Sequence, residues 1–120
     1  MASPVVRQYR WDEIAPEKVT EMISRKVVSG ERATMTQVYF KRGALVPRHS
    51  HEAEQLTYVL QGVLRYLVKS DEVIVREGEV LHVPPGIAHQ AEALEDTFVL
   101  GVFSPPRHGW LDSPDDESRR

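Results

Sequence analysis

Five histidines occur in the 120 residues. Two of them form His49-Ser50-His51, and on a strand residues two apart project from one face. Their rings can then approach a single ion from adjacent directions. Gln55 has the same parity, so a continuous strand would bring its side-chain carbonyl, a neutral acceptor, to that face as well. His89 follows about forty residues later at the predicted start of another strand, from which it can add a further ligand. Three imidazoles and one oxygen suit Zn, Mn, Fe, Co or Ni, with one or two coordination positions open. A His-x-His pair by itself is more often a surface feature, so the elements around it decide its meaning.

Those elements read as strands. Val and Ile number 20 against 9 Leu, a β-branched excess. Apolar and β-rich runs cover Val19–Val28, Ala33–Phe40, Gln55–Leu60, Val63–Val68, Glu72–Val75, Val80–Val83, Ala88–Ala93 and Thr97–Phe103. Turn signals separate them: Ser29-Gly30-Glu31, Lys41-Arg42-Gly43, Gln61-Gly62, Lys69-Ser70-Asp71, Glu77-Gly78 and Pro84-Pro85-Gly86. Seven or eight short strands at this spacing predict an all-β sandwich or barrel. Residues 1–17 read as an N-terminal arm, in which Trp11 and Ile14 form one helical turn before Pro16. Residues 18–112 form the barrel, and the charged residues 113–120 are expected to be a disordered polar tail. In the run around Tyr58, Leu56, Tyr58 and Leu60 alternate with Thr57 and Val59, so this strand must be covered on both faces. The barrel interior is one cover. The arm or a second subunit is the other, and a homodimer is expected.

Composition narrows the partners. Without cysteine, disulfides and thiolate chemistry are excluded. A net charge of −3 and a pI near 5.9 require no strongly basic face, which argues against a nucleic-acid partner. No apolar run reaches the roughly 18 residues of a membrane span. Met-Ala-Ser-Pro-Val-Val-Arg is not a signal peptide, and a cytoplasmic protein is expected.

The spacing of Gly43, His49, His51, Gln55 and Gly62 resembles the first cupin motif. That of Gly78, Pro84-Pro85-Gly86 and His89 resembles the second. The fifteen intervening residues, 63–77, match the short inter-motif stretch of small cupins. The resemblance implies a cupin double-stranded β-helix, or jelly-roll barrel, and a metal held by His49, His51, Gln55 and His89. Gln replaces the common Glu at 55, and Ala93 stands where the second motif often has Asn. Three imidazoles and an amide cancel none of the ion's charge, which favours an anionic oxygen ligand and weakens the hold on the metal.

Ser24-Arg25-Lys26-Val27, the stretch His49–Leu60, and Phe103-Ser104-Pro105-Pro106-Arg107 are similar to KdgF-type cupins, which act on unsaturated uronates in pectin and alginate breakdown. That type also uses Gln as a ligand. Phe103 and Arg107 match its last strand, but its acid/base Asp falls on Gly101. By its charge Arg107 is expected to clamp a substrate carboxylate, or else to pair with Asp112, Asp115 or Asp116 in the tail. Phe103 either lines the cavity or packs in the core. His82, opposite in parity to Leu81 and Val83, belongs on an outer face. His108 is expected to be solvated, and Trp110 and Leu111 to fold back as a lid or onto a partner. Three functions follow. One is a non-redox, metal-dependent isomerase or lyase acting on a small anionic sugar-acid or keto-acid. The others are an Fe-dependent dioxygenase and a metal-holding, ligand-binding module without turnover.

Overall fold

The computed structural model describes residues 5–106. Arg107, His108, Trp110, Leu111 and the tail 113–120, which carry several of the expectations above, lie outside the described residues. A single helical turn at Trp11–Glu13 precedes ten strands. These are β1 Glu17–Thr20, β2 Ile23–Ser29, β3 Thr34–Phe40, β4 Leu45–His49, β5 Glu54–Gln61, β6 Val63–Val68, β7 Asp71–Arg76, β8 Val80–Val83, β9 His89–Ala93 and β10 Thr97–Ser104. They form two antiparallel sheets, ordered β1-β2-β3-β10-β5-β8 and β4-β9-β6-β7. This is the expected jelly-roll barrel. Among the described residues no helix is long and apolar enough to cross a membrane.

The period-two pattern builds the core. Val38 and Phe40 on β3, Val59 on β5 and Val99 on β10 project inward from the larger sheet. Leu64 and Tyr66 on β6, Val75 on β7 and Ala91 and Ala93 on β9 meet them from the smaller one. A buried Val or Leu contributes on the order of 1.5–3 kcal/mol, so this interface is the main source of stability.

Two local differences from the strand expectation have physical causes. The run Val19–Val28 is not one strand but a hairpin, β1 and β2, pairing Thr20 with Ile23. The Met22 N–H donates to Thr20 Oγ1 at 3.0 Å, so the threonine closes the turn in place of glycine. The strand expected to carry His49 is present as β4, but it is short and includes Pro47. The proline is tolerated because β4 is an edge strand whose pairing with β9 is irregular between Val46 and His49.

The two outer faces differ. On the smaller sheet Arg65 bonds both Glu72 and Glu92, and this charged face suits water. On the larger sheet Met35 and Tyr39 of β3, Leu56 and Tyr58 of β5, and Val80 of β8 are all exposed. The expectation that Leu56 and Tyr58 are covered on both sides is not met within one chain: their inner neighbours Thr57 and Val59 are buried, and they are not.

Gly62 makes the β5–β6 turn with φ +99°, and a Cβ there would collide with Thr97 Oγ1 and stand 2.5 Å from the Asp96 carbonyl. Gly78 has φ +85° but open space around it. Gly62→Ala is expected to cost roughly 2–4 kcal/mol, from the left-handed backbone and the collision together, and Gly78→Ala about 1–2 kcal/mol from the backbone alone. Denaturant unfolding of both variants checks the order.

Candidate metal centre

His49 and His89 are brought together by sheet pairing. β4 ends at His49, β9 begins at His89, and the two residues are register partners in the smaller sheet. Gln55 stands on β5 of the larger sheet beside Phe103 of β10. His51 lies in the connection between β4 and β5, where the chain crosses from one sheet to the other. The continuous strand expected from His49 to Gln55 is therefore absent: a break at residues 50–53 replaces the parity argument. The four side chains still converge, because the crossing bends around the end of the barrel. Its path is fixed by Gly86, whose N–H donates to the His51 carbonyl at 2.9 Å. Gly86 itself has φ +79°, a conformation that lets the chain turn into β9.

The ring centroids of His49 and His89 are 4.5 Å apart, those of His51 and His89 5.1 Å, and those of His49 and His51 5.4 Å. One ligand atom from each lies within 4.8 Å of the others. Orientation follows from the opposite ring nitrogens. The Nδ1–H of His49 donates to the Pro47 carbonyl, that of His51 to Ala53 and that of His89 to Ile87, each at 2.8 Å. A carbonyl only accepts, so each Nδ1 carries a proton and each neutral ring presents its lone pair at Nε2. The same arrangement both orients a ring and raises its basicity as a metal ligand.

Gln55 adds a constraint. Its Oε1 stands 3.0 Å from His51 Nε2, and both atoms are then acceptors. A cation, whether proton or metal ion, satisfies both at once. The donor set thus fits a divalent ion by its chemistry as well as its convergence.

The site opens into a cavity of about 40 Å³. At roughly 10–15 Å³ per water centre, that volume takes an ion and a head of two or three atoms. Phe40, Val46, Ala91 and Phe103 make it apolar, and among its described lining residues none is a carboxylate. Phe103 does line the cavity, with its ring edge-on to His51 at 5.9 Å. His82 sits on the outer face, where its Nε2 meets Glu54 Oε2 at 2.6 Å. Gly101 is buried on β10, and a Cβ there would stand 2.8 Å from Thr36 Oγ1 and 3.3 Å from Phe103 Cε1. The space that an acidic side chain would need is filled. Tyr66 was missed by sequence reasoning, although its alternation with Leu64 marks it as inward. Burial pushes its phenol above the usual range, and hydrogen bonds with Thr57 and Gln55 pull it part of the way back.

The Cupin domain family profile matches residues 36–103. The chain belongs to the cupin family. An uncharacterized protein of Streptomyces coelicolor is 28% identical to this cupin over 103 residues, covering 84% of this chain and 98% of the other. The structure of KdgF from a Halomonas species is similar with a TM-score of 0.80 and 29% identity, over 86% of this cupin and 96% of KdgF. An RmlC-like cupin from Shewanella frigidimarina also has a TM-score of 0.80, at 21% identity and over 87% and 95% of the two chains. Oxalate decarboxylase of Bacillus subtilis shares the fold, with a TM-score of 0.74 and 20% identity over 89% of this cupin and 32% of the larger enzyme.

A divalent ion held at this centre is expected to stabilise the folded chain. At a hundredfold excess over its dissociation constant the gain is about 2.7 kcal/mol. Thermal melts with and without added Mn, Ni or Zn should show a rise that His49→Ala removes.

Proposed function

We propose that this cupin holds a divalent transition metal, one of Mn, Fe, Ni, Co or Zn, through His49, His51, Gln55 and His89. It uses that ion for non-redox isomerase or lyase chemistry on a small anionic sugar-acid or keto-acid. The observation that carries this reading is charge balance. Four neutral donors and no carboxylate among the described cavity residues leave the ion's charge uncancelled, so the site favours an anionic oxygen. The likeness to KdgF over most of both chains supports the same substrate class.

When bound, the ion supplies Lewis acidity to a carbonyl or hydroxyl oxygen. The chain's own residues do the rest. Phe40, Val46 and Phe103 keep the cavity apolar and restrict water beside the reacting group. The Tyr66 hydroxyl is the one polar group outside the donor set among the described lining residues, and burial keeps it protonated as a hydrogen-bond donor. Arg107 is proposed to clamp the substrate carboxylate. With Gly101 at the position of the acid/base Asp, proton transfer falls to another group, and the reaction need not match that of KdgF-type relatives step for step.

The second subunit belongs to this reading. The apolar outer face of the larger sheet, against the charged outer face of the smaller one, supports a homodimer through β3, β5 and β8. The double variant Leu56→Lys/Tyr58→Lys is expected to be a folded monomer by light scattering where the parent is a dimer. A parent that runs as a monomer would remove this part.

The activity is tested with unsaturated galacturonate and a panel of small keto-acids. Metal-loaded protein should turn over a member of this set without consuming oxygen. A chelator should abolish turnover, His49→Ala should lower it at least about a hundredfold, and Arg107→Ala should chiefly raise KM, because it removes a substrate contact. Oxygen uptake would establish the dioxygenase instead, and tight ligand binding without product would establish the binding module.

A further inference from the structure

One buried amide in this barrel faces two ways. Gln55 is 7% exposed, and its two ends meet different partners. Its Oε1 lies 3.0 Å from His51 Nε2. Its Nε2 donates to Thr57 Oγ1 at 2.9 Å. Gln55 and Thr57 are two apart on β5 and so share the inner face. Thr57 is 3% exposed. One buried hydroxyl oxygen thus attends the amide nitrogen.

An amide differs from a carboxylate in having a wrong way round. It offers two N–H donors at one end and two lone pairs at the other. Turned over, it would present its NH₂ group to His51, where N–H bonds would repel a cation. A glutamate would present an oxygen in either orientation and need no guide. Glutamine therefore needs an acceptor on the side away from the imidazoles, and the Thr57 hydroxyl oxygen stands there. Its burial adds weight, because a buried amide N–H without an acceptor is costly.

We propose that Thr57 is a positioning residue that locks the Gln55 amide with its carbonyl towards the three imidazoles. It makes a neutral, reversible side chain into a directed fourth donor. The inference rests on the reading above that Gln55 is a donor, and its test separates the two. In this role the Thr57 hydroxyl acts through Gln55 and touches neither the ion nor a substrate.

The experiment is isothermal titration of the full-length, metal-free protein with Mn(II) and with Zn(II). The variants are Thr57→Val, Thr57→Ser, Gln55→Ala, and Gln55→Ala combined with Thr57→Val. Melting of each metal-free variant reports folding independently. Thr57→Val is expected to weaken binding about tenfold, in the range for residues that orient a metal ligand. Thr57→Ser, which keeps the hydroxyl, should bind like the parent. In the Gln55→Ala background Thr57→Val should add less than about twofold, because its route to the ion is gone. Parent-like affinity in Thr57→Val, with weaker binding in Gln55→Ala, overturns the positioning role and leaves Gln55 a donor. Parent-like affinity in Gln55→Ala overturns the donor reading and this inference with it. A loss that persists in the Gln55→Ala background assigns the hydroxyl to the fold and also overturns it.

Discussion

Three short hydrogen bonds from imidazole Nδ1 atoms to backbone carbonyls organise this end of the barrel. Each bond spans only two residues: His49 to Pro47, His51 to Ala53, His89 to Ile87. A carbonyl oxygen cannot donate, so the proton must sit on the ring, and the lone pair is left at Nε2. The rest of the centre follows from that assignment. The rings turn their lone pairs towards one another, and His51 Nε2 then faces another acceptor in Gln55 Oε1. Three imidazoles held this way without a shared cation would set lone pair against lone pair. The backbone thus prepares the site for a positive charge before any ion arrives, which is what preorganisation means for a metal ligand set.

The barrel's two sheets divide the work. The smaller one supplies His49, His89 and Tyr66, and the larger supplies Gln55, Thr57 and Phe103. His51 rides on the crossing between them. Geometry at the centre therefore depends on how the sheets pack, and the close-packed core of Val38, Val59, Leu64 and Val99 transmits that packing. Polar residues are few inside and each has a reason. Thr97 bonds at the Gly62 turn through Val63, Thr36 takes the volume left by Gly101, and Thr57 attends Gln55.

Much of this was legible in the residues, for reasons that can be named. The strands announce themselves through β-branched runs cut by glycine turns, and Gly43, Gly62, Gly78 and Gly86 all have the positive φ that their turns require. The histidines were found by type and spacing. The path between them was not, because a parity count assumes an unbroken strand and the chain crosses between sheets at residues 50–53. The extent of β4 was not legible either, since Pro47 suits an edge strand and an edge position cannot be told from sequence. Thr57 escaped because its strand reads as apolar on both faces, whereas Gln55, Thr57 and Val59 are the residues turned inward. Parity with Gln55 was the available signal. An apolar outer face inverts the usual pattern, and that inversion is what a second subunit would explain.

Diffraction from crystals grown with Mn(II) or Zn(II), recorded near the metal absorption edge, tests the centre most directly. The account predicts one anomalous peak at the end of the barrel, about 2.0–2.2 Å from the Nε2 atoms of His49, His51 and His89 and from Gln55 Oε1. A peak bound through other residues, or no peak there while the three Nδ1 bonds remain intact, would contradict it.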